Sequence, residues 1–190
     1  MDASNEFTCN EKNALRKELI KRRAAIENRL ERENAVVERL LSMTVSSCMI
    51  YVSIGSELCT HKAIETFLGS GVELYAPYTS GGEITPKKLV KLGEADARGN
   101  CPSDCYGGQA VSDIDVCVTP LLGFNSDGYR LGYGKGCYDK FFDRYKKTYR
   151  IGLAFDVQRV EFAPQPHDVP LDCCITESGV IYFNHARYLG

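Results

Sequence analysis

Apolar residues in the first forty positions recur at steps of four and seven. Leu15, Leu19, Ile26, Leu30, Val37 and Leu41 form this stripe, which has the period of one helix face. It predicts a single long helix from about Cys9 to Ser42, densely charged in both signs on its remaining faces. Thr8 and Glu11 fit a capping box at its start. Beyond it the pattern changes. Cys48–Ser53, Val72–Ala76, Ile114–Thr119 and Tyr149–Phe155 are continuous apolar runs, as expected of strands buried on both faces. Pro77 and Pro120 are expected to end the second and third. His61–Leu68 reads as a short helix stopped by Gly69-Ser-Gly71, and Tyr138–Tyr145 as another. Ile175-Thr176 and Val180–Phe183 give short final strands, after an extended loop from Pro164 to Pro170. Residues 79–110, rich in Gly, Ser, Pro and charge, show no long periodic segment and suit a small hairpin or a mobile loop.

Alternating strands and helices predict an α/β fold. The expectation is a single three-layer domain over residues 1–190, with a mostly parallel central sheet flanked by helices and a long N-terminal helix. In such sheets ligands lie beyond the carboxyl ends of the strands. Gly55–Glu57, Pro77-Tyr78, Pro120–Asp139 and Gln165–Asp172 follow or connect strands, so they would converge on one edge.

Composition narrows the function classes. The net charge of −2 over 190 residues argues against bulk nucleic-acid binding, which needs a basic footprint. No apolar run approaches the roughly 18 residues that span a bilayer. Met1–Asn10 carries Asp2 and Glu6 and lacks a secretory pattern. The nine cysteines are odd in number, and Cys48, Cys117, Cys173 and Cys174 fall in apolar runs. They read as reduced thiols of a reducing compartment, and Cys101-x-x-x-Cys105 has no partner pair to make a zinc site. A cytoplasmic protein is expected, monomeric, with no nucleic-acid or membrane partner.

The candidate chemistry centres on Gly128–Asp139, where Gly128, Gly132, Gly134 and Gly136 fall within nine positions. Alternate glycines permit positive φ and close backbone approach. Successive N–H groups and a following helix N-terminus attract anions, and Arg130 and Lys135 add full charges. The combination suits a polyphosphate, although a tight surface turn would use the same residues. The run is neither a Walker A loop nor a dinucleotide fingerprint, because Gly136 follows Lys135 and the spacing is G-x-G-x-G. Asp139 could favour the helix dipole or hold Mg2+ against phosphates. Asp168 and Asp172 flank Pro170, which rules out a regular helix between them, and Asp172 equally suits a solvated turn. His167 reads as structural. Lys12 and Arg16 share one helix face four residues apart; a bound phosphate would offset their mutual repulsion.

Together these residues resemble the 5-formyltetrahydrofolate cyclo-ligase family. The likeness is strongest over Val118–Phe142, in Pro120–Phe124, Asp127-Gly128 and Tyr129–Asp139. Lys12–Arg16 resembles the family's K-x-x-x-R, Ser53–Thr60 its strand-end segment, and His167–Asp172 with Ile175–Glu177 its C-terminal block. The resemblance implies an enzyme that uses ATP as co-substrate and Mg2+ to turn 5-formyltetrahydrofolate into 5,10-methenyltetrahydrofolate. It implies ATP phosphate contacts from Lys12, Arg16, Arg130, Gly132, Gly134, Lys135 and Gly136. Leu131, Tyr133, Cys137, Tyr138 and Asp139 would complete the ATP-binding segment. It further implies Mg2+ at Asp139 and Asp168, folate at Glu57 and Tyr138, and catalytic roles for Arg130, Lys135 and Tyr138. Cys137 stands for the family's usual Tyr, Lys140 for a frequent Arg and Leu121 for a common Gly, and Arg98 falls near a frequent Trp. Residues 79–110 match the family least. Two other readings of the same residues are an α/β enzyme acting on a phosphorylated sugar or nucleotide, and a binding protein without turnover.

Overall fold

The computed structural model describes residues 9–108 and 113–183. Thr8, and with it the expected capping box, lies outside them. Two helices replace the single one expected at the start, α1 (Cys9–Ala24) and α2 (Arg29–Leu41). The chain turns between them at Asn28, whose φ is 52°. Asn tolerates this left-handed conformation better than most residues. The turn resets the helical phase. Leu30, expected in the buried stripe, is 72% exposed, while Val36, Val37 and Leu40 are buried.

Among the described residues nine strands follow in two sheets. The large sheet contains β1 (Ser47–Ile50), β2 (Glu73–Ser80), β3 (Glu83–Lys88), β4 (Val116–Thr119), β7 (Tyr149–Leu153), β8 (Cys173–Ile175) and β9 (Val180–Tyr182). Their order is β3-β2-β1-β4-β7-β8-β9. The five inner strands are parallel, and β3 and β9 close the edges antiparallel. β5 (Gly123–Phe124) and β6 (Arg130–Leu131) form a separate hairpin. Among the described residues no helix is long and apolar enough to cross a membrane.

Alternation along the strands builds two cores. Cys48 and Ile50 of β1 and Val118 of β4 face α2 and α3 (His61–Ser70), meeting Val36, Leu40, Ile64 and Phe67. Met49 and Cys117 face the other way and meet Phe141 and Phe142 of α4 (Cys137–Arg144). The sheet is therefore the middle of three layers. The chain leaves β1 through α3 to β2 on one side, then returns to β4 on the other. Right-handed crossovers in opposite directions put their helices on opposite faces. The switch between β1 and β4 opens a crevice at their carboxyl ends.

Pro77 lies inside β2 and faces Pro86 of β3, so it does not end the strand as expected. The Leu89 N–H donates to the Leu74 carbonyl. Alternate pairs from there exchange hydrogen bonds, and the two prolines meet at a pair that needs none. Residues 79–110 thus supply the second half of a hairpin, closed by Gly81 and Gly82, and then a short turn of helix at Ser103–Cys105.

α1 crosses the carboxyl edge rather than covering a face. Leu19, fully buried, packs with Leu122, Leu131 and Phe162, and Leu15 and Tyr129 lie against the same cluster. Leu19→Ala should cost about 2–5 kcal/mol of unfolding free energy, read as a lower urea midpoint with an unchanged slope. An unchanged midpoint would mean that α1 is not seated by this contact.

Candidate active site

The β5–β6 hairpin aims the glycine segment. Asn125, buried beneath its turn, accepts the Asp127 N–H at 3.1 Å and the Tyr129 N–H at 2.8 Å through Oδ1. The chain leaves β6 into residues 132–136 and enters α4 at Gly136. Gly134 and Gly136 have φ of 90° and 61°, whereas Gly132 has no positive φ; the alternation expected from the sequence is only partly realised. A Cβ on Gly134 would stand 3.3 Å from the Arg16 Cζ, so the residue's conformation and its close approach both favour glycine. The Arg16 Nε donates to the Gly132 carbonyl at 2.9 Å, and its Nη1 to Asn13 Oδ1 at 2.7 Å. Lys12, one turn earlier on α1, is buried with its Nζ 3.6 Å from Asp168 Oδ2 and 5.9 Å from the Phe162 ring centroid. The phase of α1 thus brings Arg16 to the glycine loop and Lys12 to Asp168.

The two acids of the expected metal pair are stitched together. The Arg130 Nη2 donates to Asp139 Oδ1 at 2.8 Å, and its Nη1 to the Val169 carbonyl at 2.6 Å. The Val169 N–H returns to the same Asp139 oxygen at 3.0 Å. Asp168, the preceding residue, accepts the Gln165 N–H through Oδ2 at 2.7 Å. Asp139 Oδ2 accepts no hydrogen bond among the described residues. Two mostly buried carboxylates beside a cationic loop, one with a free hard oxygen, suit Mg2+, which takes one or two carboxylates and completes its shell with phosphate and water oxygens. His167 is exposed, its Nε2 4.0 Å from Asp168 Oδ1.

Other predicted residues divide clearly. Lys135 is exposed, and its ammonium has no partner among the described residues. Leu131 turns its side chain into the apolar cluster below α1, so only its backbone is left to the loop. The Cys137 Sγ lies 3.9 Å from the Lys135 carbonyl.

A second set lines the opposite wall. The buried Glu57 accepts the Ile54 N–H through Oε2 at 3.0 Å. Burial pushes its carboxyl above the ordinary value of 4.5, opposed by the Ile54 N–H, the Arg23 charge and a hydrogen bond from Tyr133. Burial also raises the Tyr138 phenol well above 10, with Cys117, Glu57 and Tyr51 adding to the effect and Arg130 opposing it. The Tyr138 ring centroid lies 5.9 Å from the Arg130 guanidinium carbon.

Arg23 is a residue that the sequence reading missed. It is 2% exposed. It donates to Ser56 Oγ at 3.2 Å, to the Leu121 carbonyl at 3.0 Å and to the Tyr133 hydroxyl at 2.9 Å. In sequence it is one Arg in a basic helix; its spacing of seven from Arg16, two turns along the same face, was the available signal. An open cavity of about 540 Å³ at the α1–α2 turn, lined among others by Arg22, Ile26, Arg32 and Arg159, contains none of the predicted site residues.

Comparison with known proteins adds an independent line. The model of a family described as the 5-formyltetrahydrofolate cyclo-ligase family matches residues 8–177. A 5-formyltetrahydrofolate cyclo-ligase of Mycoplasma pneumoniae is 42% identical over 67 residues, which are 35% of this chain and 41% of that relative. One from Escherichia coli K12 is 30% identical over 149 residues, 69% of this chain and 78% of the relative. A solved structure of the 5,10-methenyltetrahydrofolate synthetase of Aquifex aeolicus matches with a TM-score of 0.76 at 27% identity, over 94% of this chain and 96% of that one.

Glu57 makes stability depend on pH. Its folded-state value lies above the unfolded one near 4.5, so the folded protein holds this proton more tightly. That contribution is complete below the unfolded value and is lost as pH rises through the folded one. Glu57→Gln should therefore raise the Tm relative to the parent more at pH 7.5 than at pH 4. An equal difference at both pH values would contradict the burial argument.

Proposed function

Since the chain belongs to the 5-formyltetrahydrofolate cyclo-ligase family, we propose that it closes the ring of 5-formyltetrahydrofolate to give 5,10-methenyltetrahydrofolate, consuming ATP with Mg2+ and releasing ADP and phosphate. The observation that carries the reading is the seating of α1 on the glycine loop, with Arg16 on the Gly132 carbonyl at 2.9 Å and Lys12 beside Asp168. It supports a nucleotide whose phosphates lie between Lys12, Arg16, Arg130, Lys135 and the Gly132–Gly136 backbone. Asp139 and Asp168 are the residues that would hold Mg2+, which would neutralise charge on the phosphate oxygens. Glu57 and Tyr138 would face the folate, with Tyr138 at its junction with ATP. We take the chain as one domain, because both walls come from connections of one sheet.

The chemistry follows from what such a site can do. A formamide oxygen is a poor leaving group. Its attack on the γ-phosphorus forms an O–P bond and breaks the bond to ADP. The folate N10 then attacks the formyl carbon and gives up its proton, and the C–O bond breaks with its electrons leaving on phosphate, which takes up that proton. Neither step requires a protein nucleophile; both require alignment and charge neutralisation. Arg130 and Lys135 supply positive charge beside the phosphates, where the leaving ADP oxygen becomes more anionic. The Arg130–Asp139–Val169 bonds fix that charge before the reaction begins, so little reorganisation remains for the transition state. Glu57, itself buried, belongs to a wall poorly reached by water, which would limit hydrolysis of the activated formyl group.

Methenyltetrahydrofolate absorbance should develop only when ATP, Mg2+ and 5-formyltetrahydrofolate are all present; no turnover by folded protein with all three would end the reading. Lys135→Ala should lower kcat/KM for ATP by on the order of a hundredfold with a near-parental Tm, since the side chain is exposed and unpaired. An unchanged rate would remove the phosphate assignment. Asp139→Asn should raise the Mg2+ requirement or abolish activity, and equal activity to the parent at every Mg2+ level would remove the metal assignment.

A further inference from the structure

Arg150 lies within β7 and is 1% exposed. Its Nη1 donates to the Pro170 carbonyl at 2.7 Å, and its backbone N–H to Asp172 Oδ2 at 2.7 Å. The guanidinium carbon lies 5.1 Å from the Phe142 ring centroid. Its Nε and Nη2 are buried and have no hydrogen-bond partner. A carbonyl and a ring face are partial compensation for a buried cation, and two unmet donors add a further penalty. A hydrophobic side chain of similar length would avoid that penalty.

The location gives the penalty a meaning. Arg130 and Arg150 take successive carbonyls, those of Val169 and Pro170. Both stand 5.1 Å from the same Phe142 ring. The segment they grip begins at Asp168, and its Val169 N–H holds Asp139. Arg130 grips it from the loop side, and Arg150 from the sheet beneath.

We propose that Arg150 is a positioning residue for the reaction: through the Pro170 carbonyl and the Phe142 ring it fixes residues 168–170 against α4, and so sets the spacing of Asp168, Asp139 and Arg130. The proposal rests on the reading of Asp139 and Asp168 as the Mg2+ pair. Arg150 itself touches neither substrate nor metal. Without its anchor the 168–170 segment keeps the Arg130 bond but loses the floor that holds it at one height, and the two carboxylates lose their fixed separation.

The test compares Arg150→Met and Arg150→Lys with the parent. ATP binding is titrated calorimetrically with and without MgCl2, and Tm and the KM for 5-formyltetrahydrofolate are measured alongside. Arg150→Met is expected to keep or raise the ligand-free Tm, to weaken Mg2+-dependent ATP binding about tenfold, the scale of one charge-assisted hydrogen bond, and to leave the folate KM within about twofold of the parent's. Arg150→Lys, which retains a donor for the Pro170 carbonyl, should fall between the two. Parental ATP–Mg2+ affinity in Arg150→Met overturns the proposal. So does an equal loss of nucleotide and folate affinity with a lowered Tm, which marks a structural residue. If Arg150→Met does not fold, Arg150→Lys decides: weakened Mg2+-dependent binding supports the proposal, and parental binding overturns it. A parent protein that fails to bind ATP–Mg2+ removes the reading of the site, and this inference with it.

Discussion

Arginines bonded to backbone carbonyls hold the carboxyl edge of the sheet together. Arg16 takes the carbonyl of Gly132, Arg23 that of Leu121, Arg130 that of Val169 and Arg150 that of Pro170. Arg29 takes those of Arg23, Ser56 and Glu57, with its own charge paired to Glu33. A carbonyl satisfies a guanidinium donor without cancelling its charge. The connections after β1, β4 and β7 are thereby tied to α1 and to one another, while the edge keeps a positive field. Carboxylates in the same places would tie the loops equally well and abolish the field. Asp139 is the acid directly paired with this set at the glycine loop, at the place where a metal ion would restore positive charge. The proposed nucleotide site draws on this arrangement, because interior charges act through a lower dielectric than water.

Tyr133 connects the two walls. It stands between Gly132 and Gly134, yet its hydroxyl accepts from Arg23 and bonds to Glu57. The segment assigned to phosphate and the carboxylate assigned to folate therefore share a side chain. Motion of the glycine loop cannot be independent of the Glu57 wall, a useful property for the proposed transfer between two substrates. Arg23 holds the hydroxyl from behind and is itself fixed by Ser56 and Leu121.

The parts of this protein legible in its sequence are those with local signatures. The inner strands announced themselves as apolar runs, and four buried cysteines lie in them as expected. The glycine segment and α4 were visible because every residue that matters lies within a dozen positions. The break at Asn28 was not: neither Gly nor Pro marks it, the flanking residues are good helix formers, and only tertiary packing of Val36 and Leu40 selects the new phase. Arg23 and Arg150 were hidden for another reason. Arg23 is one of many basic residues on its helix, and Arg150 interrupts an apolar strand without any local hint of its partners. The hydrogen-bond partners of these two side chains lie 20 to 110 residues away, beyond the reach of periodicity.

Pro77 shows how a residue can act on its neighbour rather than on its own strand. The Glu73 N–H points to the Ser46 carbonyl beside β1, and by alternation the amide position of residue 77 points the same way. Proline has no hydrogen there. The parallel ladder between β1 and β2 accordingly stops at Met49 and Tyr75, although β2 itself runs on to Ser80. Freed from a partner on that side, the chain after Ile50 can bend out of the sheet and carry Glu57 across the crevice. One missing proton in the second strand thus decides where the first one lets go.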